Sequence, residues 1–183
     1  TSKGTMFSSG TINAYIQTYH QFIYYQEKLG IIIEFNDIDI SFYKNYTAYL
    51  ESKNYSVNTI GKCISILKAI LHYAEHDGFS VNSAYKDKTF KTVNRESDSI
   101  YLTKEELIAL KCADISHLSK NHEIARDIFM VGVFTAQRVS DYARIGPSNI
   151  RVNEDGSMVI CLRQQKTGVS VSIPVRDELK AIL

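Results

Sequence analysis

The series Ile60, Ile64, Leu67, Leu71, Ala74 constrains this chain more than any other feature. Its i, i+4, i+7 spacing lines five apolar side chains along one stripe of a helix, and that stripe has to be covered by other elements. Ser56 stands where an N-cap belongs, after the loop residues Lys53 and Asn54, and Asp77-Gly78 closes the series. The flanking segments read alike. Ile12, Ile16, Tyr19, Phe22, Ile23 and Leu29 recur at helical spacing, with Gly30 as the C-terminal stop. Ser41 to Ser52 predicts a helix with Phe42, Tyr46, Tyr49 and Leu50 inward, and short helical structure is expected near Val81 to Tyr85. Residues 1–88 therefore read as a helical domain.

Beyond it the character changes. Lys86, Lys88, Lys91, Arg95, Glu96 and Asp98 surround an isolated Phe90 and Val93. Residues 89–98 are read as an interdomain linker, with an ordinary surface loop as the alternative. Residues 99–183 restart with Ile100-Tyr101-Leu102 as a short strand. Thr103-Lys104-Glu105-Glu106 forms a capping box, opening a helix to about Lys111. A helix from about His122 to Phe134 follows, then one from Arg138 to Ile145, closed by Gly146-Pro147. Met158 to Leu162 and Val169 to Ile173 flank the turn Lys166-Thr167-Gly168 as a hairpin. The fold class expected is mainly α with a small β-hairpin.

Composition narrows the function classes. The 183 residues suit one large or two small domains, and 44% hydrophobic with 22% charged content is ordinary for a soluble protein. A formal net charge of +1 means that a nucleic-acid partner would have to meet a local concentration of cations. Cys63, Cys112 and Cys161 are scattered without ligand spacing, which speaks against structural zinc and for reduced thiols. No acidic cluster suits two-metal chemistry, and no Gly-rich loop suits a nucleotide. No metal, no cofactor and no membrane partner are expected, and the location expected is cytoplasmic.

Two residues offer chemistry. Arg138 follows a turn between helices, and its planar fork can make two hydrogen bonds to the non-bridging oxygens of a phosphodiester. Such a contact stabilises the added negative charge of a pentacoordinate phosphorus. Lys166, at a hairpin tip, could reach into bound DNA and donate a proton to a departing 5′ oxygen; its other reading is an ordinary solvated turn lysine. Asp141 could orient Arg138 or a neighbouring cation. Its other reading is an i, i+3 surface ion pair. On the third helix, Asn58, Lys62, Ser65 and His72 occupy the face opposite the apolar stripe, with Lys68 at its margin, where they could contact phosphates and base edges. A plain solvated helix face is the alternative, and the Tyr-rich stripes read as core.

The block Phe134-Thr135-Ala136-Gln137-Arg138-Val139-Ser140-Asp141 resembles the T-G-x-R-x-S-E/D motif of tyrosine recombinases, the phage-integrase family. Gln165-Lys166-Thr167-Gly168 followed by Val171-Ser172-Ile173-Pro174-Val175 is similar to that family's β-hairpin. Tyr101-Leu102-Thr103-Lys104-Glu105-Glu106-Leu107 resembles the opening of its catalytic domain, and Asn58-Thr59-Ile60 with Lys68 to Ala74 its core-binding helix. Each motif is unspecific alone; together, in order, they cover nearly the whole chain. The resemblance implies a helical, SAM-like core-binding domain at 1–88 and the first half of an α+β catalytic domain at 99–183. It implies Arg138 and Lys166 as catalytic residues with Asp141 in support.

The partner so implied is double-stranded DNA, bound by a tetramer in a nucleoid-associated setting. The chemistry implied is site-specific recombination or integration in a mobile element through a 3′-phosphotyrosine. The family's H/K-x-x-R box, its third His/Trp and its Tyr nucleophile would lie after Leu183, so the chain is expected to be an inactive fragment of such an enzyme. The family's motif Gly stands here as Ala136, which strains the turn if φ must be positive there. The alternatives are a non-catalytic DNA-binding regulator on the same scaffold and a helical protein-interaction module.

Overall fold

Ser8, Asp39 and Ser56 each begin a helix by accepting a backbone N–H with the side chain, from Thr11 at 3.2 Å, Phe42 at 2.7 Å and Thr59 at 3.2 Å. Each oxygen thereby satisfies one of the donors that a helix start leaves without partner. In the computed structural model, which describes residues 7–183, these helices are α1 (Ser9–Leu29), α2 (Ile40–Ser52) and α3 (Val57–His76). Gly30 ends α1 at φ 67°, where its N–H bonds back to Gln26 and Glu27. Short 3-10 turns follow at Phe35–Asp37 and Ser83–Lys86. The chain divides into two units, residues 1–98 and 99–183.

The first unit has an aromatic core. Tyr25 lies 4.9 Å from Tyr49 and 5.1 Å from Tyr46 between ring centroids, and Phe42 stacks on Tyr46 at 5.3 Å. The inward residues expected on α2 (Phe42, Tyr46, Tyr49 and Leu50) are buried, as are Ile60, Ile64, Leu67, Leu71 and Ala74 on α3. Burying a large apolar side chain contributes about 1.5–3 kcal/mol, so these two faces supply most of what holds the unit. On α1 the expected stripe holds at Phe22, which packs on Phe42 and Tyr46, and is out of phase before it. Ile12, Ile16 and Tyr19 are 47%, 46% and 59% exposed, and Ala14, Thr18 and Tyr25 are the buried residues. Small Ala14 and Thr18 serve as the helix's inward face, and the Thr18 hydroxyl is satisfied by the Ala14 carbonyl at 2.9 Å.

The segment read as a linker is strapped to this unit. Phe90 is 1% exposed in the core and packs against Tyr43 at 4.7 Å. Lys68 Nζ donates to the Phe90 carbonyl at 3.0 Å, and Tyr43 Oη to that of Lys91 at 3.0 Å. Asn58 makes a two-way pair with the Arg95 backbone, donating to its carbonyl at 2.9 Å and accepting its N–H at 2.7 Å. Gly61 admits the strap, because a Cβ there would stand 1.8 Å from the Val93 carbonyl oxygen.

The second unit contains α4 (Lys104–Cys112), α5 (Lys120–Thr135), a single turn α6 (Val139–Tyr142), β1 (Ile150–Val152), β2 (Met158–Arg163), β3 (Ser170–Pro174) and a last turn α7 (Asp177–Lys180). The Thr103/Glu106 capping box forms as expected, with both reciprocal bonds. The strands make an antiparallel meander, β1-β2-β3, with Ile160 opposite Ile173 and Cys161 opposite Ser172. Ile160, Leu162 and Leu179 form the buried cluster, flanked by Val131, Ile145, Ile150, Val171, Ile173 and Val175. Two expectations are corrected. Ile100-Tyr101-Leu102 pairs with no strand among the described residues, and Ile100 is 97% exposed. The helix expected to reach Ile145 stops after one turn, as the chain prepares for Pro147 and β1.

Candidate functional site

Arg138 is placed by a sharp reversal at the end of α5. Ala136 caps that helix in the left-handed region, φ 53°, and its N–H returns to the Gly132 carbonyl at 2.9 Å. This is the position where the resembled motif carries glycine. Arg138 then takes the extended N-cap conformation of α6, φ −70° and ψ 153°, with its side chain exposed. Tyr142, one turn further, lies over Gly132, where a Cβ would come within 2.6 Å of its ring.

Lys166 is placed by the loop between β2 and β3. Gln164 N–H donates to Val169 O, and Gly168 N–H to Gln164 O, each at 2.8 Å. Gly168 closes the turn at φ 69°, and Arg163 Nε donates to its carbonyl at 2.8 Å. Lys166 is exposed at the tip, and its side chain takes no hydrogen bond or ion pair among the described residues.

Two tethers join this loop to the segment that carries Arg138. Asp141 Oδ1 accepts the Gln165 N–H at 2.7 Å, and Gln164 Nε2 donates to Gln137 Oε1 at 2.8 Å. The first is made by a carboxylate that is wholly buried, so Asp141 is no surface ion pair. Its cationic partner is Arg144, whose Nη2 reaches Oδ1 at 3.1 Å and also the Arg163 carbonyl. Asp141 Oδ2 has no hydrogen-bond partner among the described residues. The Gln165 N–H holds the Asp141 carboxyl below its usual range, against the opposing effect of burial. The hydrogen bond and charge of Arg144 and the charge of Arg138 add to this. The Asp141 carboxylate thus faces both the Lys166 loop and the cation Arg144.

The residues singled out on α3 divide in two. Asn58 and Lys68 spend their polar atoms on the strap. Lys62 and Ser65 are exposed. Arg144 and Arg163 stand out in the sequence by charge alone, and Gln137 and Gln164 do not stand out as site residues. The i, i+3 spacing of Asp141 and Arg144 was a usable signal; nothing in the sequence marks the two glutamines.

Comparison with known proteins bears on the whole chain. The family described as phage integrase SAM-like domain matches residues 1–93. No curated protein matches the chain. Among solved structures, a lambda integrase tetramer bound to a Holliday junction has a TM-score of 0.71 at 21% identity, covering 97% of this chain and 50% of that one. A lambda integrase dimer bound to a COC′ core site gives 0.72 at 19% identity, with 97% and 62% covered. The Tn1549 transposon integrase in complex with transposon right end DNA gives 0.71 at 16%, with 99% and 60% covered. These likenesses show the fold. The chain spans between 50% and 62% of the length of these three matches.

Proposed function

The chain belongs to the phage integrase SAM-like domain family, and from that membership we propose that it is the part of a tyrosine recombinase that grips duplex DNA. Its first unit is the core-binding domain and its second the start of the catalytic domain, with the connection between them beginning after Arg95. In this reading Arg138 clamps the non-bridging oxygens of the phosphate to be exchanged. Lys166 protonates the departing 5′ oxygen when the parent enzyme's tyrosine forms a 3′-phosphotyrosine link. Asp141 keeps the loop of Lys166 against the segment of Arg138. The reaction is site-specific exchange or integration. The assembly on DNA is a tetramer, as in the matched lambda integrase complex.

The pair of tethers between the two segments carries this reading. A solvated turn lysine and a surface arginine have no need of a buried carboxylate between them, whereas two groups that must meet one phosphate do. On the first unit the exposed Lys62 is the leading phosphate contact.

Binding of this chain to duplex DNA, titrated over a range of salt, tests the proposal. With a net charge of +1, affinity should be weak and should fall steeply with salt. Lys62→Ala should reduce the magnitude of the log K against log salt slope by about 0.9. Failure to bind any duplex at low salt would remove DNA as the partner and favour a helical protein-interaction module.

A further inference from the structure

We propose that Gln137 and Gln164 are a positioning pair that sets the Lys166 turn against Arg138. Thr167 Oγ1 donates to Gln164 Oε1 at 2.7 Å, Gln164 Nε2 to Gln137 Oε1 at 2.8 Å, and Gln137 Nε2 to the Thr135 carbonyl at 3.2 Å. Every link runs in the same direction. Each glutamine uses one donor and its acceptor, so neither amide can turn over without breaking the chain. Its far end is rigid: Thr135 is buried on the last turn of α5, and its hydroxyl donates to Val131 O at 2.7 Å.

This relay complements the Asp141 tether. Asp141 holds the backbone of Gln165, the residue before Lys166, and the glutamine relay holds the side chain of Thr167, the residue after it. Lys166 is therefore fixed on both flanks while its own side chain stays unbonded. That arrangement suits a cation whose base must be still and whose tip must be free for a ligand. Gln137 precedes Arg138 directly, so the relay ties the approach of both cations to one strand of hydrogen bonds. The proposal rests on the reading of Arg138 and Lys166 as a phosphate grip.

Amide hydrogen exchange on the whole chain, without DNA, tests the tether. The amides to follow are Gln165, bonded to Asp141, and Gly168, bonded to Gln164. Gln137→Met keeps side-chain length and removes both of its hydrogen bonds. It should speed exchange at these two amides about tenfold, the effect of one lost hydrogen bond, and leave the β2–β3 ladder unchanged. Gln137→Glu retains an acceptor for Gln164 but loses the donor to Thr135, so its rates should lie between those of the original chain and Gln137→Met. Unchanged exchange in Gln137→Met would overturn the proposal.

A second readout separates positioning from mere support. Gln137→Met should weaken duplex binding about threefold to tenfold in the original chain and clearly less in a Lys166→Ala background, where only Arg138 is left to be displaced. An equal loss in both backgrounds counts against positioning. Duplex affinity indifferent to Lys166 would sink the phosphate grip alone, and the exchange rates would then decide the pair.

Discussion

Ala136 is held at φ 53°, in a region where a Cβ crowds the following carbonyl at a cost of about 1–2 kcal/mol. Its surroundings over-determine it: the α5 carbonyl of Gly132 takes its N–H, and Gln137 must turn toward Gln164. Ala136→Gly removes the crowding and adds backbone freedom to the unfolded chain worth about 0.5–1 kcal/mol. The net expectation is a gain of about 0.5–1 kcal/mol in the second unit, read as a higher urea midpoint at its protected amides. A lower midpoint would mean that the alanine fits its turn without strain. At this scale the sequence exposed the two cations proposed to meet a phosphate and concealed the side chains that hold their segments together. Arg138 and Lys166 stand in local patterns that a reader can weigh. The Gln137–Gln164 bond joins residues 27 apart by a neutral side-chain contact, and no periodicity encodes it.

Among the elements, α2 and α3 were legible because each carries a single apolar face with polar residues opposite. On α1, isoleucines and tyrosines are spread around the helix, so the period is readable and the phase is not. Packing chose the face of Ala14 and Thr18, where small side chains allow close approach, and left Ile12 and Ile16 outside. The strap was hidden for a different reason. Its composition is that of a loop, and its attachment depends on the absence of a side chain at Gly61. Alanine in place of glycine within a helix ordinarily stabilises by about 1 kcal/mol. Here the added Cβ meets backbone at 1.8 Å, so either the strap lifts or α3 shifts. Gly61→Ala should therefore destabilise the first unit by about 1–3 kcal/mol, the usual cost of overpacking. Trypsin cleavage after Lys91 and Arg95 should quicken in step. A stabilised variant with unchanged cleavage would show that the strap does not rest on α3.

For the molecule as a whole, the distribution of tyrosines sets what it can do by itself. Ten of the twelve lie in the first unit, where Tyr25, Tyr46, Tyr49 and Tyr85 are core, and burial pushes the Tyr46 hydroxyl well above its usual range. A buried, reluctantly ionised phenol is a poor nucleophile. In the second unit, Tyr142 packs on Gly132, and Tyr101 sits in the unpaired stretch before α4. Among the described residues none is held beside Arg138 and Lys166 by a hydrogen bond, as a nucleophile served by those groups in the proposed reaction would have to be. The chain should thus bind a nicked suicide duplex without forming a covalent adduct, so no shifted protein–DNA band should survive denaturation. Arg138→Ala should still weaken that binding, and Arg138→Lys should recover little of it, because a point charge cannot make the planar two-bond contact. A covalent band abolished by replacing one tyrosine would overturn this view and place a complete strand-cleaving site within these 183 residues.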